Sequence, residues 1–557
     1  MPPLRHGLRR LHALRGTFGG DAARERSALL RALRRARWTG SADLRAYHDE
    51  LLYIAAFPDT GALHRAARRE LARTGRRVRA LSAAARARLD DSALAGSTTA
   101  HTFMYGVARW LAAKGERVGI DRHSPAHLER LDPFLRQSLT PAESDRFDSG
   151  EVGTAEWLAD ASRDCRQGAF GWLLGQRRET PEPERMLYDD AEVPLRWELA
   201  ESPLSASRNR IALGQVVPRR SARVLPADVA AHLRRPLKGI TRLRGDAARR
   251  WHDVALAALA ARTREVFPTI YANHDEIYRC PLGEGTDLCV LGVTPGDRSA
   301  LEANYGYVMF SNGIPVGYGG VTTLGAQANT GANLFESFRR SEAAFLFAQS
   351  LRAFRTLFGV TRFVVNPYQF GRGNEEAITS GAYWFYDRLG FRPTSRPLAA
   401  LASRERSRIA ADRTHRSSRR TLQRLAGGDL VLPVAADDGS LLPERMLLQV
   451  GAGVARELSG VPAGGREAFL ARAAERQLRL CTGERRRLRP SEQLGARFLA
   501  PVIRLIEPTV RGWSREERQR LWRLVQLKGA RQERGYARAA AGMPVFWETL
   551  RRIVNDP

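Results

Sequence analysis

The sequence predicts an α/β (α+β) fold, with a central mixed β-sheet covered by helices on both faces and flanked by mainly helical N- and C-terminal regions. Three observations predict it. Short apolar runs separated by turn residues fill 270–324, and Asn312-Gly313 stands between two of them, the strongest short-range hairpin signal. From 341 to 391 the pattern changes to helix, strand, helix. The flanks carry apolar residues at helical spacing. The expected organisation is a helical region over 1–176, a linking region of extended and helical pieces over 177–265, a sheet domain over 266–395 and a basic helical region over 396–557.

In chain order, DLRAYHDELLYIAAF and AHTFMYGVARWLAAKG read as helices, with Pro58, Pro125, Pro133 and Pro141 as punctuation. QRRETPEPERMLYDD reads as a linker, and VPLRWELAESPLS and IALGQVVPRRSARVL as extended pieces. LRGDAARRWHDVALAALAARTREV is again helical. DLCVLGV is a short buried strand, and YGYVMFS and IPVGYGGVTTL form the hairpin. A helix is expected from near Ser341 to Gly359, a strand over TRFVVNPYQF and a further helix over NEEAITSGAYWFYDRLG. After Phe391 at most one short strand fits before an Arg-rich helix, and VLPVAADDG at 431–439 is the candidate to complete the sheet.

Net charge is +29, and only three of the basic residues are lysines, at 114, 238 and 528. The charge is uneven. Residues 266–395 hold 10 basic and 11 acidic residues, 396–557 hold 32 and 17, and 1–265 hold 47 and 32. A neutral centre between basic flanks suggests RNA or an acidic partner for the flanks. Four scattered cysteines, none at metal-ligand spacing, argue against a disulfide framework or a metal site and suit a reducing cytoplasm. No apolar run reaches the ~18 residues of a membrane span. The basic N-terminus, with Leu at 4, 8, 11 and 14, reads as a first helix rather than a targeting segment. P-loop, HExxH, GxSxG and Rossmann fingerprints are missing.

The chemically informative stretch is Gly381–Phe391, GAYWFYDRLGF. It puts the Tyr386 hydroxyl in the last turn of a helix that Gly390 caps. With the preceding hairpin, helix and strand, this stretch resembles the last conserved segment of the GNAT acyltransferase superfamily. Asn366–Pro393 is also similar to uncharacterised bacterial GNAT-like proteins with helical flanks. The resemblance covers about 266–395 and implies transfer of an acyl group from acetyl-CoA or a longer acyl-CoA to a small-molecule or peptide amine, with no metal.

By that resemblance Tyr386 protonates the leaving thiolate, and GYGGVTTL, with Gly319, Gly320 and Val321, is the splayed strand that carries the pantetheine arm. Arg339, Arg340 and Ser341 open the next helix, where backbone N–H groups and arginines suit a pyrophosphate. Glu342 stands where the family pattern has Gly. Thr379 takes the place of an Asn that contacts pantetheine, and Asn366 lies at the sheet's carboxyl edge. Glu336 and Glu342 are the candidate bases, with Glu375 an alternative and His274 a possible relay. Two other functions fit these residues: aminoacyl transfer from charged tRNA on a GNAT-related fold, and a catalytically silent GNAT domain that serves as a binding or scaffold module.

Overall fold

The computed structural model describes residues 2–121, 128–136, 139–148, 150–165, 168–175, 182–339, 342–435 and 441–555. Arg340 and Ser341 lie outside these residues, as does the VLPVAADDG segment beyond 435.

A ten-stranded mixed sheet organises the chain. Its strands are β1 (Thr241–Leu243), β2 (Ala272–Gly283), β3 (Thr286–Val293), β4 (Ala303–Ser311), β5 (Ile314–Leu324), β6 (Gln327–Thr330), β7 (Asn333–Leu334), β8 (Arg362–Val365), β9 (Arg392–Pro393) and β10 (Leu430–Pro433). The spatial order is β9-β10-β8-β6-β5-β4-β3-β2-β1, with β7 also paired to β5. All pairings are antiparallel except β6 with β8. That parallel pair is bridged by the helix Ala343–Phe358, as a parallel crossover requires.

After Asp287 the run LCVLGV is apolar throughout because β3 is covered on both faces. Leu288 and Val290 belong to one core cluster, Cys289 and Leu291 to the other. The second cluster is formed with Ala248, Trp251, Val254 and Ala255 of the helix Gly245–Ala260. The first is shared with residues from both flanks, from Leu8 to Leu550. The flanks therefore pack on the sheet itself, and the sheet begins at β1, ahead of the boundary expected at 266.

Asn312 and Gly313 make the hairpin turn with φ of 47° and 76°, the doubly left-handed turn that matches strand twist. The Asn312 side chain then ties the tip down. Its Nδ2 donates to Ala56 O (3.0 Å) and Val217 O (3.1 Å), and its Oδ1 accepts from Val217 N (2.8 Å). The stretch IALGQVV joins no sheet, and Ile211 N bonds Gly313 O instead. VPLRWEL does form a strand, Leu195–Glu198, between Thr98–His101 and Val118–Ile120 in a separate small sheet.

The helix expected over 374–390 is two helices, Glu375–Ser380 and Ala382–Arg388. Gly381, at φ 66°, breaks it. Gly390 has the left-handed φ expected of it, 98°. The sheet closes where residues near 431 were expected to close it. Residues 430–433 pair with all four residues of β8 and with β9.

The C-terminal region is bolted to β2 through buried charge. Glu276 accepts the backbone N–H groups of Glu533 and Arg534, both at 2.7 Å, and the Tyr305 hydroxyl at 3.2 Å. Lys528 pairs with Glu533 at 2.5 Å and donates to Glu302 O. Arg298 donates to Lys528 O and Ala530 O, both at 2.6 Å. All four charged side chains are buried, and each has partners here.

Candidate functional site

The site begins with an interruption in a ladder. Residues 327–335 run back along β5 in one register, from Leu324↔Gln327 and Val321↔Thr330 to Tyr318↔Asn333 and Gly317↔Leu334. Phe335 N–H extends it by donating to Val316 O at 3.1 Å. The paired positions skip Gly319 and Gly320. Side-chain hydroxyls serve the gap instead. Thr330 Oγ1 donates to Gly320 O at 2.9 Å, and the Tyr307 hydroxyl donates to Gly331 O. The backbone of Ala332 hydrogen-bonds the Tyr386 phenol.

The glycines make this possible. A Cβ on Gly319 would stand 2.4 Å from Tyr307 Oη and 2.5 Å from Gly331 O. One on Gly317 would stand 2.7 Å from Asn333 O. The absent side chains admit the chain's own backbone and a phenol. Gly320 differs, since its Cβ would approach only Tyr305 O, at 3.7 Å, and the residue is exposed. The resemblance implied a splayed strand with a free edge for a ligand arm. Here that edge is taken by residues 327–335. Val321 is buried and fully paired within the ladder.

Tyr386 is 2% exposed. Phe347, Phe370, Phe385 and Phe391 surround its ring, mostly edge to face. Burial pushes its hydroxyl up to about 12, against the pull of the Ala332 backbone N–H on the phenol oxygen, so it stays protonated at neutral pH. The structure thus brings Tyr386, Tyr307, Gly319 and residues 331–332 together.

The other expected residues are dispersed. Glu342 stands at the N-cap position of the helix Ala343–Phe358, makes no side-chain capping bond there and is buried. It accepts from Arg219 Nη2 at 2.9 Å and from Arg223 N at 3.0 Å. Its carboxyl is raised by burial, against the pull of Arg219. Arg219 is itself buried, lies over Phe57 and also meets Glu284 at 3.0 Å. Glu342 therefore serves as a structural counter-charge. Glu336 is exposed and paired to Arg45 at 2.6 Å. Arg339 is exposed and paired to Glu376 at 2.6 Å, and Glu375 to Arg419 at 2.5 Å. Asn366 and Thr379 are exposed. His274 is partnered by His252, at 2.9 Å. Burial lowers His252 to about 4, so this pair is neutral near pH 7.

Sequence reading missed Tyr307, Thr330 and Arg219. Tyr307 has a visible signal, the alternation of YGYVMFS, which sends Tyr305 and Tyr307 to one face of β4. The partner of Glu342 lies 123 residues away and has no local signal. Among the described residues no group of three or more His, Cys, Asp or Glu could hold a metal, and no helix is long and apolar enough to cross a membrane. Comparison with family models, curated proteins and solved structures finds no match.

Proposed function

We propose that the chain is a GNAT-like N-acyltransferase that moves an acyl group from acyl-CoA to an amine. One observation carries this reading: the Tyr386 hydroxyl reaches the backbone opposite Gly319 and Gly320, the break in the β5 ladder. In such a reaction the amine nitrogen attacks the thioester carbonyl and the C–S bond breaks. The acceptor loses a proton and the thiolate gains one. Tyr386 hydrogen-bonds the departing sulfur, and as a phenol near 12 it stabilises the thiolate as a donor before the thiolate takes a proton. Glu342 is held by Arg219, which leaves the exposed Glu336 to accept the amine's proton once Arg45 releases it. A ligand arm can lie against β5 only if residues 331–334 leave it.

That condition favours a second reading, a catalytically silent module whose ligand groove is filled by its own chain. Aminoacyl transfer from tRNA remains a third, supported by the basic flanks alone. Calorimetric titration with acetyl-CoA and longer acyl-CoAs, with thiol release assayed in parallel, separates them. Acyl-CoA binding with amine-dependent thiol release supports transfer. No binding at millimolar ligand supports the silent module. Salt-sensitive binding of charged tRNA with acyl loss supports the third.

A further inference from the structure

A second region, remote in sequence from Tyr386, holds positive charge that the fold leaves unneutralised. The helix Gly61–Leu71 starts at Thr60, whose hydroxyl accepts Leu63 N–H at 3.2 Å. It buries Leu63, Ala67 and Leu71. Arg65, Arg68 and Arg69, at spacings of three and four, share another face. They line a cavity of about 370 Å³ together with Arg208, Arg210 and Ser207. A second cavity of about 490 Å³ adjoins it, sharing Ala72, Arg208 and Arg210, and adds Pro203, Leu204, Ala212 and Val254. One end is cationic and the other largely apolar.

The arginines lack internal counter-charge. Among the described residues no carboxylate pairs with Arg65, Arg68, Arg69 or Arg210. Arg208 meets Glu201 at the rim, and Arg210 Nη1 donates only to Arg208 O, at 3.1 Å. The Nε atoms of Arg68 and Arg208 are buried with no hydrogen-bond partner. Glu70, on the same helix, is used by Arg73 and Arg77. Asp253, at the apolar end, is used by Lys114 and the Trp110 indole. Burial, then the neighbouring Arg68, pulls Arg210 below its ordinary value, so the two guanidiniums repel each other across the cavity. His64, beneath them, is lowered by burial and by Arg68, Arg210 and Arg65.

We propose that this groove binds a small phosphorylated organic molecule, its phosphates on Arg65, Arg68, Arg69 and Arg210 and its organic body against Leu204, Ala212 and Val254. Guanidinium forks match phosphate oxygens in pairs, and a doubly or triply charged group removes the repulsion that now exists. The volumes suit a small molecule. A nucleic-acid strand would instead track an open basic surface with stacking aromatics, and no aromatic lines either cavity. None of the residues expected to act with Tyr386 lines them either.

The test is calorimetric titration of the full chain with inorganic pyrophosphate and with ADP at 0.15 M salt, the conditions of ordinary charge screening. The expected result is one site per chain, with ADP binding at least ~10-fold more tightly than pyrophosphate because it also fills the apolar end. The double variant Arg68→Gln/Arg210→Gln should weaken ADP by ~30-fold or more. Arg413→Gln/Arg420→Gln, which removes the same charge from the C-terminal flank, should leave it within ~2-fold. Circular dichroism melts of both variants establish that each is folded. No saturable binding at millimolar ligand overturns the proposal. So does equal weakening in the two doubles, which would mark a diffuse field, and so does equal affinity for pyrophosphate and ADP, which would remove the organic-body half.

Discussion

Two arginine-rich regions of this molecule treat positive charge in opposite ways. Ahead of the helix Ala343–Phe358, Arg219 meets Glu342, Arg223 meets Glu284, Arg339 meets Glu376 and Arg45 meets Glu336. In the groove on the helix Gly61–Leu71, Arg65, Arg68, Arg69 and Arg210 meet no carboxylate among the described residues. An unpaired buried charge is costly, and the fold supplies a carboxylate to the buried Arg219, whereas Arg68 and Arg210 are half-buried and Arg65 and Arg69 exposed. The first region is thus complete within the chain. The second awaits an anion from outside. Arg339, which sequence pattern assigned to a cofactor's phosphates, is among the arginines the protein has neutralised for itself.

Among single substitutions the largest effect is expected at Glu342. Glu342→Ala should cost about 3 kcal/mol in urea unfolding, because it leaves Arg219 buried with only the half-exposed Glu284. A loss under about 1 kcal/mol would mean that Arg219 needs no internal partner, and the contrast would fail. Next comes the pH dependence of the other neutralised cluster. Burial raises the Glu276 carboxyl from 4.5 to about 7. Its folded value lies above its unfolded one, so its stabilising contribution is full below about pH 4.5 and is lost as pH rises through about 7. The unfolding free energy should fall by roughly 3–4 kcal/mol over that window, at about 1.4 kcal/mol per tenfold change in proton concentration. In Glu276→Gln that slope should flatten.

A smaller effect is expected at the ladder gap. Gly319→Ala drives a methyl into Tyr307 Oη and Gly331 O and should cost about 1–3 kcal/mol. Gly320→Ala, one residue on, meets only Tyr305 O at 3.7 Å and should change stability by less than about 1 kcal/mol. Equal costs at the two positions would show that the close approach of residues 331–332 is not real. The smallest effect has the opposite sign. Arg210→Gln removes repulsion from Arg68 and should raise stability by up to about 0.5 kcal/mol, a gain that shrinks in high salt.

The sequence made some of this legible and not the rest, for physical reasons. The hairpin at Asn312-Gly313, the helix before Gly359 and the strand near 431 are visible because turn chemistry, capping and alternation act over a few residues. Gly381 was hidden inside an otherwise helical run, where a single left-handed residue splits the helix in two. The glycines of β5 signalled a close approach correctly, but the sequence does not say what approaches, and the visitor is the chain itself at 331–334. Tyr386 was legible as a helix-borne hydroxyl, while its Ala332 contact depends on a loop folding back across the sheet. The arginine groove needed residues about 140 apart to meet, as with Arg68 and Arg210, and only the folded chain reveals that charge is left over.

Acyl transfer by this chain would depend on Tyr386 at the break in the β5 ladder. Its most direct test is thiol release from acetyl-CoA and longer acyl-CoAs by wild type and Tyr386→Phe, with an amine acceptor panel and calorimetric binding on the same preparations. Saturable acyl-CoA binding is expected in both proteins, with turnover lowered about 10²-fold in Tyr386→Phe while binding and the unfolding midpoint change little. Turnover unaltered by Tyr386→Phe, or no acyl-CoA binding at millimolar concentration, would contradict it.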